Sequence, residues 1–329
     1  NKGIAKRLLN YFSFVFTSLY IGLTKTGKYD YILCESPPLF LGITAYILKK
    51  TKGSKLIFNV SDLWPESAEK LGLVTNTTFL KMATVLEEFL YRNSELITGQ
   101  TQGICKNISA RFPNKKVYWL PNGVDMNYYN ADSITTQWRA ENNFMTDDFI
   151  LLYAGIIGHA QGLEVVLNAA ALTRNTTQIK YVLLGSGPEK EKLQALQTQL
   201  ALTNVYFYDA VTKDKMPAIV KAIDVAVIPL KKLDLFKGAI PSKIFENLAM
   251  KKAIVLGVEG EAKELFIDEG NCGLAFEPEN AHDLAQKATQ LFNQRAAVAQ
   301  LGINGYNYVQ TKFTRDHIAN NFWEVLQQA

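Results

Sequence analysis

From residue 149 onward, apolar residues fall into two alternating patterns. Five short runs, Phe149–Gly155, Ile179–Gly185, Val205–Tyr208, Val225–Pro229 and Ala253–Gly257, are apolar almost throughout, as strands buried on both faces are. Most are followed by stretches with helical spacing of apolar residues, roughly Leu163–Thr173, Glu189–Ala201, Lys215–Ala222, Lys243–Lys251 and Ala262–Glu269. A strand, turn and helix repeating about every 25 residues predicts parallel, doubly wound α/β architecture. Upstream, the runs Tyr29–Cys34, Lys55–Val60, Leu96–Gly99 and Val117–Leu120 predict a second domain of the same kind. Near the end, Ile318, Phe322, Val325 and Leu326 recur at helical spacing over about Arg315–Gln328.

Two further helices are expected before the first upstream strands are complete. Leu8–Leu23 is rich in aromatic and aliphatic residues and follows Lys2, Lys6 and Arg7. A bilayer span needs about 20 apolar residues, and this stretch is shorter and holds Asn10, Ser13, Thr17 and Ser18, so a buried or interfacial helix is expected. A second apolar helix follows Ser36-Pro37-Pro38 and ends in Lys49-Lys50. Nine basic residues against Asp30 and Glu35 give Asn1–Lys55 a formal +7, so the rest of a chain of net charge +4 carries −3. One localised basic face suits anionic lipid headgroups or a pyrophosphate better than a general nucleic-acid surface, and ordinary solvated lysines are the alternative.

At 329 residues and 48% hydrophobic composition the chain suits two domains, each with its own core. Three scattered cysteines and three histidines lack metal-ligand spacing, no Asp-x-Asp occurs, and a reducing compartment is implied. Four Asn-x-Ser/Thr triplets are read as chance. The segment Asp132–Asp148 is the expected linker.

The candidate chemistry centres on Ser242-Lys243-Ile244-Phe245-Glu246. Ser242 is placed to cap a helix whose free N–H groups meet a diphosphate, with Lys243 adding a mobile charge. Glu246 lies one turn on, on the same face, where a carboxylate accepts from two ribose hydroxyls. A surface helix with an exposed Lys243/Glu246 pair explains the same residues equally well. Two other strand-to-helix turns bear glycines that permit close backbone approach: Gly155, Gly158 and Gly162 around His159 and Gln161, and Gly185 and Gly187 before Pro188. In the upstream half, Asp62 ends a strand and is a candidate to orient or deprotonate an acceptor hydroxyl, or else caps a turn. Glu66 is a second candidate, or belongs simply to a first helical turn.

These motifs, in this order, resemble family 4 glycosyltransferases of the GT-B fold. The matching stretches are Tyr153-Ala154-Gly155, Leu184-Gly185-Ser186-Gly187-Pro188, Ala222–Pro229, the Ser242–Met250 helix, and the interdomain-like Pro121-Asn122-Gly123-Val124-Asp125. Asp62-Leu63-Trp64-Pro65-Glu66-Ser67 resembles an L-fucosamine transferase-like subgroup. That subgroup adds sugars, often amino sugars, to lipid-linked acceptors in O-antigen, capsule and exopolysaccharide synthesis. The resemblance implies two Rossmann-like domains facing a cleft: an acceptor-side domain over 1–130, a linker over 131–148, a nucleotide-sugar domain over 149–312, and a helix over 313–329 crossing back.

It implies a metal-independent, retaining transferase without cofactor. The expected donor is a nucleotide-sugar, UDP-linked, with Gly155, Gly158, His159, Gly162, Gly185, Gly187, Ser242, Lys243 and Glu246 binding it. Asp62, Lys243 and Glu66 are the expected catalytic residues, and the expected acceptor is a polyprenyl-diphosphate-linked saccharide. A cytoplasmic, peripheral membrane location follows. An epimerase of the same fold, or a non-catalytic sugar-nucleotide-binding protein, is the alternative.

The chain departs from the family pattern in three places. Gly238 stands where the first of the family's paired glutamates belongs, eight positions before Glu246. The loop after the first strand of the second half offers His159 and Gln161 in place of the usual arginine and lysine. Ser61 stands where the family often has a histidine. A domain of this type opens with a strand and glycine turn, whereas this chain opens at Asn1 inside a basic, apolar helix. A preceding portion on the order of half a domain is therefore expected outside this numbering.

Overall fold

The computed structural model describes residues 2–328, with side chains from Tyr11 onward. It divides into two compact units: residues up to Pro121 together with those from Phe322 on, and Asn122–Asn321.

The first unit alternates α1 (Lys2–Thr24), β1 (Tyr31–Ser36), α2 (Leu41–Lys52), β2 (Lys55–Val60), α3 (Glu66–Lys70), α4 (Thr77–Asn93), β3 (Leu96–Gly99), α5 (Gln102–Arg111) and β4 (Val117–Trp119). The strands are parallel and ordered β1-β2-β3-β4. Phe58 and Val60 of β2 and Ile97 of β3 pack with Ala45 of α2 and Leu90 and Tyr91 of α4. Asn76 starts α4 by accepting from the Phe79 amide at 2.9 Å, and Leu80, Ala83 and Leu90 fall on its buried stripe. Glu87 is on that stripe too, and only 3% exposed. The Arg111 guanidinium at 2.7 Å and the Tyr91 hydroxyl at 2.9 Å satisfy it.

Helix α1 packs through Val15 and Gly22 against α2, where Thr44 donates to the Val15 carbonyl at 3.0 Å. Its other side leaves Phe14, Phe16, Tyr20 and Ile21 exposed. The basic side chains expected to flank it, Lys2, Lys6 and Arg7, lie outside the described side chains. Among the described residues no helix is long and apolar enough to cross a membrane.

The second unit contains α6 (Trp138–Glu141), β5 (Phe149–Ala154), α7 (Glu164–Leu172), β6 (Ile179–Leu184), α8 (Lys190–Gln199), β7 (Val205–Tyr208), α9 (Met216–Ala222), β8 (Val225–Pro229) and α10 (Lys243–Ala249). It continues through β9 (Ala253–Gly257), α11 (Glu261–Lys263), β10 (Gly273–Ala275), α12 (Ala281–Asn293) and α13 (Arg295–Lys312). The parallel sheet is ordered β10-β9-β8-β5-β6-β7. The chain thus runs outward from β5 to β7, returns to the other side of β5, and runs outward again. The strand order reverses between β5 and β8, and sheets of this kind bind ligands beyond the carboxyl ends at that reversal.

Three parts differ from the sequence reading. The polar segment expected as a linker, 131–148, is held within the second unit. Trp138 stacks on Phe144 at 5.4 Å, Phe144 meets Tyr206 at 5.0 Å, and Arg139 pairs with Asp224 at 2.5 Å. Those few aromatic and charged anchors outweigh the polar composition around them. The helix expected over Ala262–Glu269 is α-helical only as α11 and continues as a π-helical turn, Glu264–Glu269. There Phe266 is enclosed by Phe245 at 5.4 Å and Phe313 at 5.7 Å. The edge strand β10 was not expected at all, being three residues long. The final helix, α14 (Arg315–Gln327), ends within the first unit. There Phe322 stacks on Tyr118 at 5.8 Å and the Tyr31 hydroxyl donates to the Leu326 carbonyl at 2.9 Å.

Candidate functional site

The carboxyl ends of β5 and β6 lead into glycine turns because these two turns pass almost in contact. Gly155 and Gly185 have φ of +139° and +155°, and a Cβ on Gly185 would collide with the Gly155 carbonyl. The space so left opens into a cavity of about 470 Å³ lined by Gly155, Gly185, Ser186, Tyr129, Lys243 and Glu246, among others. Helix α10 follows β8 through the 3₁₀ turn Asp234–Gly238, which carries Lys243 and Glu246 to this rim.

Lys243 places its Nζ 3.8 Å from the centroid of the Tyr153 ring. Burial pulls its pKa down to about 7, with the nearby Glu246 carboxylate opposing the shift. A cation–π contact is a weak substitute for a carboxylate partner, so this ammonium retains a strong preference for an anion. The Tyr129 hydroxyl lies beside Glu246 and is pushed up first by burial and then by that carboxylate. Asn247 donates to the Lys243 carbonyl at 2.8 Å and steadies the first turn of α10.

Ser242 does not cap the helix as expected. Its backbone is already helical, φ −58° and ψ −28°, and its side chain makes no capping bond. The chain begins to turn one residue earlier, with Ile244 N–H donating to the Pro241 carbonyl at 3.0 Å and Phe245 N–H to the Ser242 carbonyl at 3.2 Å. The serine oxygen therefore cannot swing back over the free amides.

Of the expected donor-binding residues, Gly155, Gly185, Lys243 and Glu246 come together around the cavity; Gly158, His159, Gly162, Gly187 and Ser242 are outside its lining. His159 sits in an exposed 3₁₀ turn with its ring nitrogens 2.9 and 3.2 Å from Lys231 Nζ. Gly162, φ +57°, lies against the Lys231 side chain. Gly187 packs on the Ile157 backbone. Gly238 ends the 3₁₀ turn before α10 and brings no side chain.

In the first unit, Asp62 follows β2 and accepts from the Ser67 hydroxyl at 2.7 Å, while its carbonyl takes the Trp64 amide at 2.8 Å. Glu66 pairs with Lys70 at 2.5 Å on the outer face of α3, an exposed bond worth little to stability. Sequence reasoning missed Tyr129, whose partner is more than a hundred positions away. It also missed Glu35, whose carboxylate accepts from Asn59 and Ser61. A lone tyrosine in a turn and a lone glutamate in a strand give no periodic signal. Among the described residues no group of three or more His, Cys, Asp or Glu is placed to hold a metal ion.

Residues 134–308 match the family described as Glycosyl transferases group 1. The chain is 26% identical over 288 residues to the putative colanic acid biosynthesis glycosyl transferase WcaI of Escherichia coli K12, covering 85% of this chain and 70% of that protein. It is 24% identical over 304 residues to the probable glycosyltransferase WbjE of Pseudomonas aeruginosa, covering 87% and 72%. Among solved structures, Anabaena Alr3699/HepE in complex with UDP-glucose superposes with a TM-score of 0.75 at 18% identity, over 96% of this chain and 81% of that one. Sucrose-phosphate synthase from Thermosynechococcus elongatus does so at 0.73 and 19%, over 91% and 73%. With two parallel sheets built as in these neighbours and a family match over more than half its length, the chain belongs to the group 1 glycosyltransferases and has the GT-B fold.

Proposed function

We propose that this enzyme transfers a sugar, an N-acetylated amino sugar, from a UDP-sugar to a lipid-linked saccharide during synthesis of a bacterial surface polysaccharide. The observation that carries the donor side is the pairing of Lys243 and Glu246 on one wall of a cavity at the strand-order reversal. In glycosyl transfer the leaving diphosphate gains charge as the anomeric carbon becomes cationic. An ammonium already desolvated on Tyr153 meets that charge with little reorganisation. Glu246, facing the same cavity, accepts the ribose hydroxyls and fixes the nucleotide's orientation. The neighbour HepE was crystallised with UDP and with UDP-glucose, and relatives are named for colanic acid and lipopolysaccharide core synthesis, which supports both the nucleotide and the pathway class.

On the acceptor side, Asp62 is the proposed residue that orients the attacking hydroxyl, its carboxylate steadied by Ser67. The expected retention of anomeric configuration rests on the family resemblance. The exposed aromatic side of α1, together with Lys49, Lys50, Lys52 and Lys55, supports a peripheral position on an anionic lipid surface that presents a polyprenyl-diphosphate acceptor.

A saturation-transfer screen of UDP-, GDP- and ADP-sugars tests this reading. It predicts that a UDP-sugar binds and is slowly hydrolysed without acceptor. Binding of none of them overturns it. Gly238, in place of a first carboxylate, favours the rival reading of a non-catalytic binding protein, which tight UDP binding with neither hydrolysis nor transfer would support.

A further inference from the structure

A groove of about 430 Å³ runs between α1, α2 and the start of β1, walled by Phe14, Ile21 and Gly22 of α1, Leu48 of α2, and Tyr29 and Ile32. Since β1 is the edge strand of its sheet, that flank of the groove is open among the described residues. Each serine and threonine hydroxyl in the wall gives its hydrogen to a backbone carbonyl. Thr17 donates to Ser13 at 2.8 Å, Ser18 to Val15 at 3.0 Å, Thr26 to Gly22 at 2.6 Å and Ser54 to Tyr29 at 2.6 Å. What the groove presents is therefore almost wholly hydrocarbon. Water in such a space lacks the polar partners that would hold it, whereas an apolar ligand enters readily. Its size falls within the roughly 300–1,000 Å³ of small-molecule sites.

The lip of the groove is apolar and wet: Phe14, Ile21 and Tyr29 are 54%, 51% and 62% exposed, and covering them is favourable. One end is closed by Lys52, whose ammonium donates to the Thr26 carbonyl at 2.8 Å and the Leu23 carbonyl at 3.2 Å. Both partners are neutral, so a positive charge stands at the mouth with a further hydrogen to give. Lys25 and Lys28 are exposed in the adjoining turn, against the single carboxylate of Asp30. On α1, Phe14 and Ile21 lie seven residues apart on one strip, Phe16 and Tyr20 lie four apart on another, and Thr17 falls between the two. The groove thus opens beside the aromatic outer side of the helix. An unbranched hydrocarbon chain with an anionic head matches each feature, its tail along the apolar wall and its head at the lysines.

We propose that this groove takes up one hydrocarbon chain of an anionic membrane lipid, with the headgroup at Lys52. Tyr29 and Ser54 place it at the amino end of the sheet, whereas Asp62 follows the carboxyl end of β2, so lipid bound here is an anchor and not the sugar acceptor. The proposal rests on the lipid-surface reading and adds to it a discrete site. A helix lying on headgroups alone would bind no single lipid.

The test uses the 329-residue chain and two probes kept below micelle-forming concentrations, lauroyl lysophosphatidylglycerol and lauroyl lysophosphatidylcholine, which share a chain and differ in net charge. Calorimetry should show saturable binding of the glycerol lipid, and binding of the choline lipid weaker by about threefold to fivefold, the scale of one exposed ion pair. Lys52→Met should remove that preference. Ser18→Trp and Thr17→Trp fill the groove from its wall and should weaken both lipids by about tenfold or more, since excluding about two methylenes already costs that much. Added aromatic surface would instead strengthen mere adsorption, so the sign separates the two. Phe16→Ser with Tyr20→Ser, outside the groove, should leave binding within about twofold, as should UDP affinity in every variant. If Ser18→Trp unfolds, Thr17→Trp decides. No saturable binding by the parent, or undiminished binding in a folded tryptophan variant, overturns the proposal. A parent that binds neither lipid but dimerises, with the dimer lost in the tryptophan variants, gives the groove to a second copy and overturns it too. Failure of the parent to float with anionic vesicles overturns the lipid-surface reading instead, and binding of the soluble probes still decides the groove.

Discussion

Lys243 carries a charge that its surroundings make conditional. With its pKa drawn down to about 7 by burial against Tyr153, it loses its proton as pH rises through neutrality. A diphosphate should restore that proton, so UDP affinity should fall from pH 7 to 9, approaching tenfold per unit. Lys243→Arg, charged throughout, should flatten the profile. A flat profile in the parent would remove Lys243 from the phosphate site. The linkage to stability has a definite sign. The unfolded chain holds more protons than the folded one between about pH 7 and 10.5, so the residue's penalty is complete below that window and fades as pH rises through it. Thermal melts of Lys243→Met should therefore show a larger gain over the parent at pH 6 than at pH 9.

Tyr129 tests the other half of the site, because Tyr129→Phe keeps the ring and removes only the hydroxyl beside Glu246. It should cost UDP about 0.5–1.5 kcal/mol of binding, and undiminished binding would show that Glu246 needs no such support. At this scale the sequence was legible where partners lie close along the chain. Lys243 and Glu246 share a helical face three residues apart, whereas Tyr129 and Glu35 act through folds of the chain that no spacing reveals. Ser242 was misread because the turn begins at Pro241.

Among the elements, α4 depends most on a polar bond. Its buried stripe includes Glu87, and Arg111 on α5 supplies the compensating charge at 2.7 Å. Arg111→Ala should leave that carboxylate buried without its cation and destabilise the first unit by about 3–5 kcal/mol, read from the denaturant midpoint. A loss below about 1 kcal/mol would mean that Tyr91 alone satisfies Glu87. Strands β1 to β9 were readable because each coincides with a short, largely apolar run, whereas the three-residue β10 is too short to give one, and parallel order follows from the helices between the strands. The segment 131–148 misled because polar composition masked Trp138, Arg139 and Phe144, which bind it to β7, β8 and their flanks. Helix α13 carries Gly302 and Gly305, which weaken its helical signature. Both let it approach α10 and β9: a Cβ on the first would strike the Lys251 carbonyl and one on the second the Leu248 side chain.

For the whole molecule, two independent features invite a lipid surface: the aromatic outer side of α1 and the positive charge concentrated before residue 56. The chain should float with vesicles containing anionic lipid, and added salt should weaken the association. A double change of Phe16 and Tyr20 to serine, which are 68% and 64% exposed, should abolish flotation while leaving UDP affinity intact. Flotation unaffected by those changes would move the lipid contact elsewhere. The two-unit α/β plan was legible in the sequence because each half repeats its own strand and helix pattern.

The proposed donor is a nucleoside diphosphate-sugar held in the cavity of the second unit by Lys243 and Glu246. A calorimetric titration of UDP into the parent chain and into Glu246→Ala tests it most directly. Saturable binding by the parent and a loss of about 1.5–3 kcal/mol in the variant are expected. Equal affinity in the two, or no binding by the parent, would contradict it.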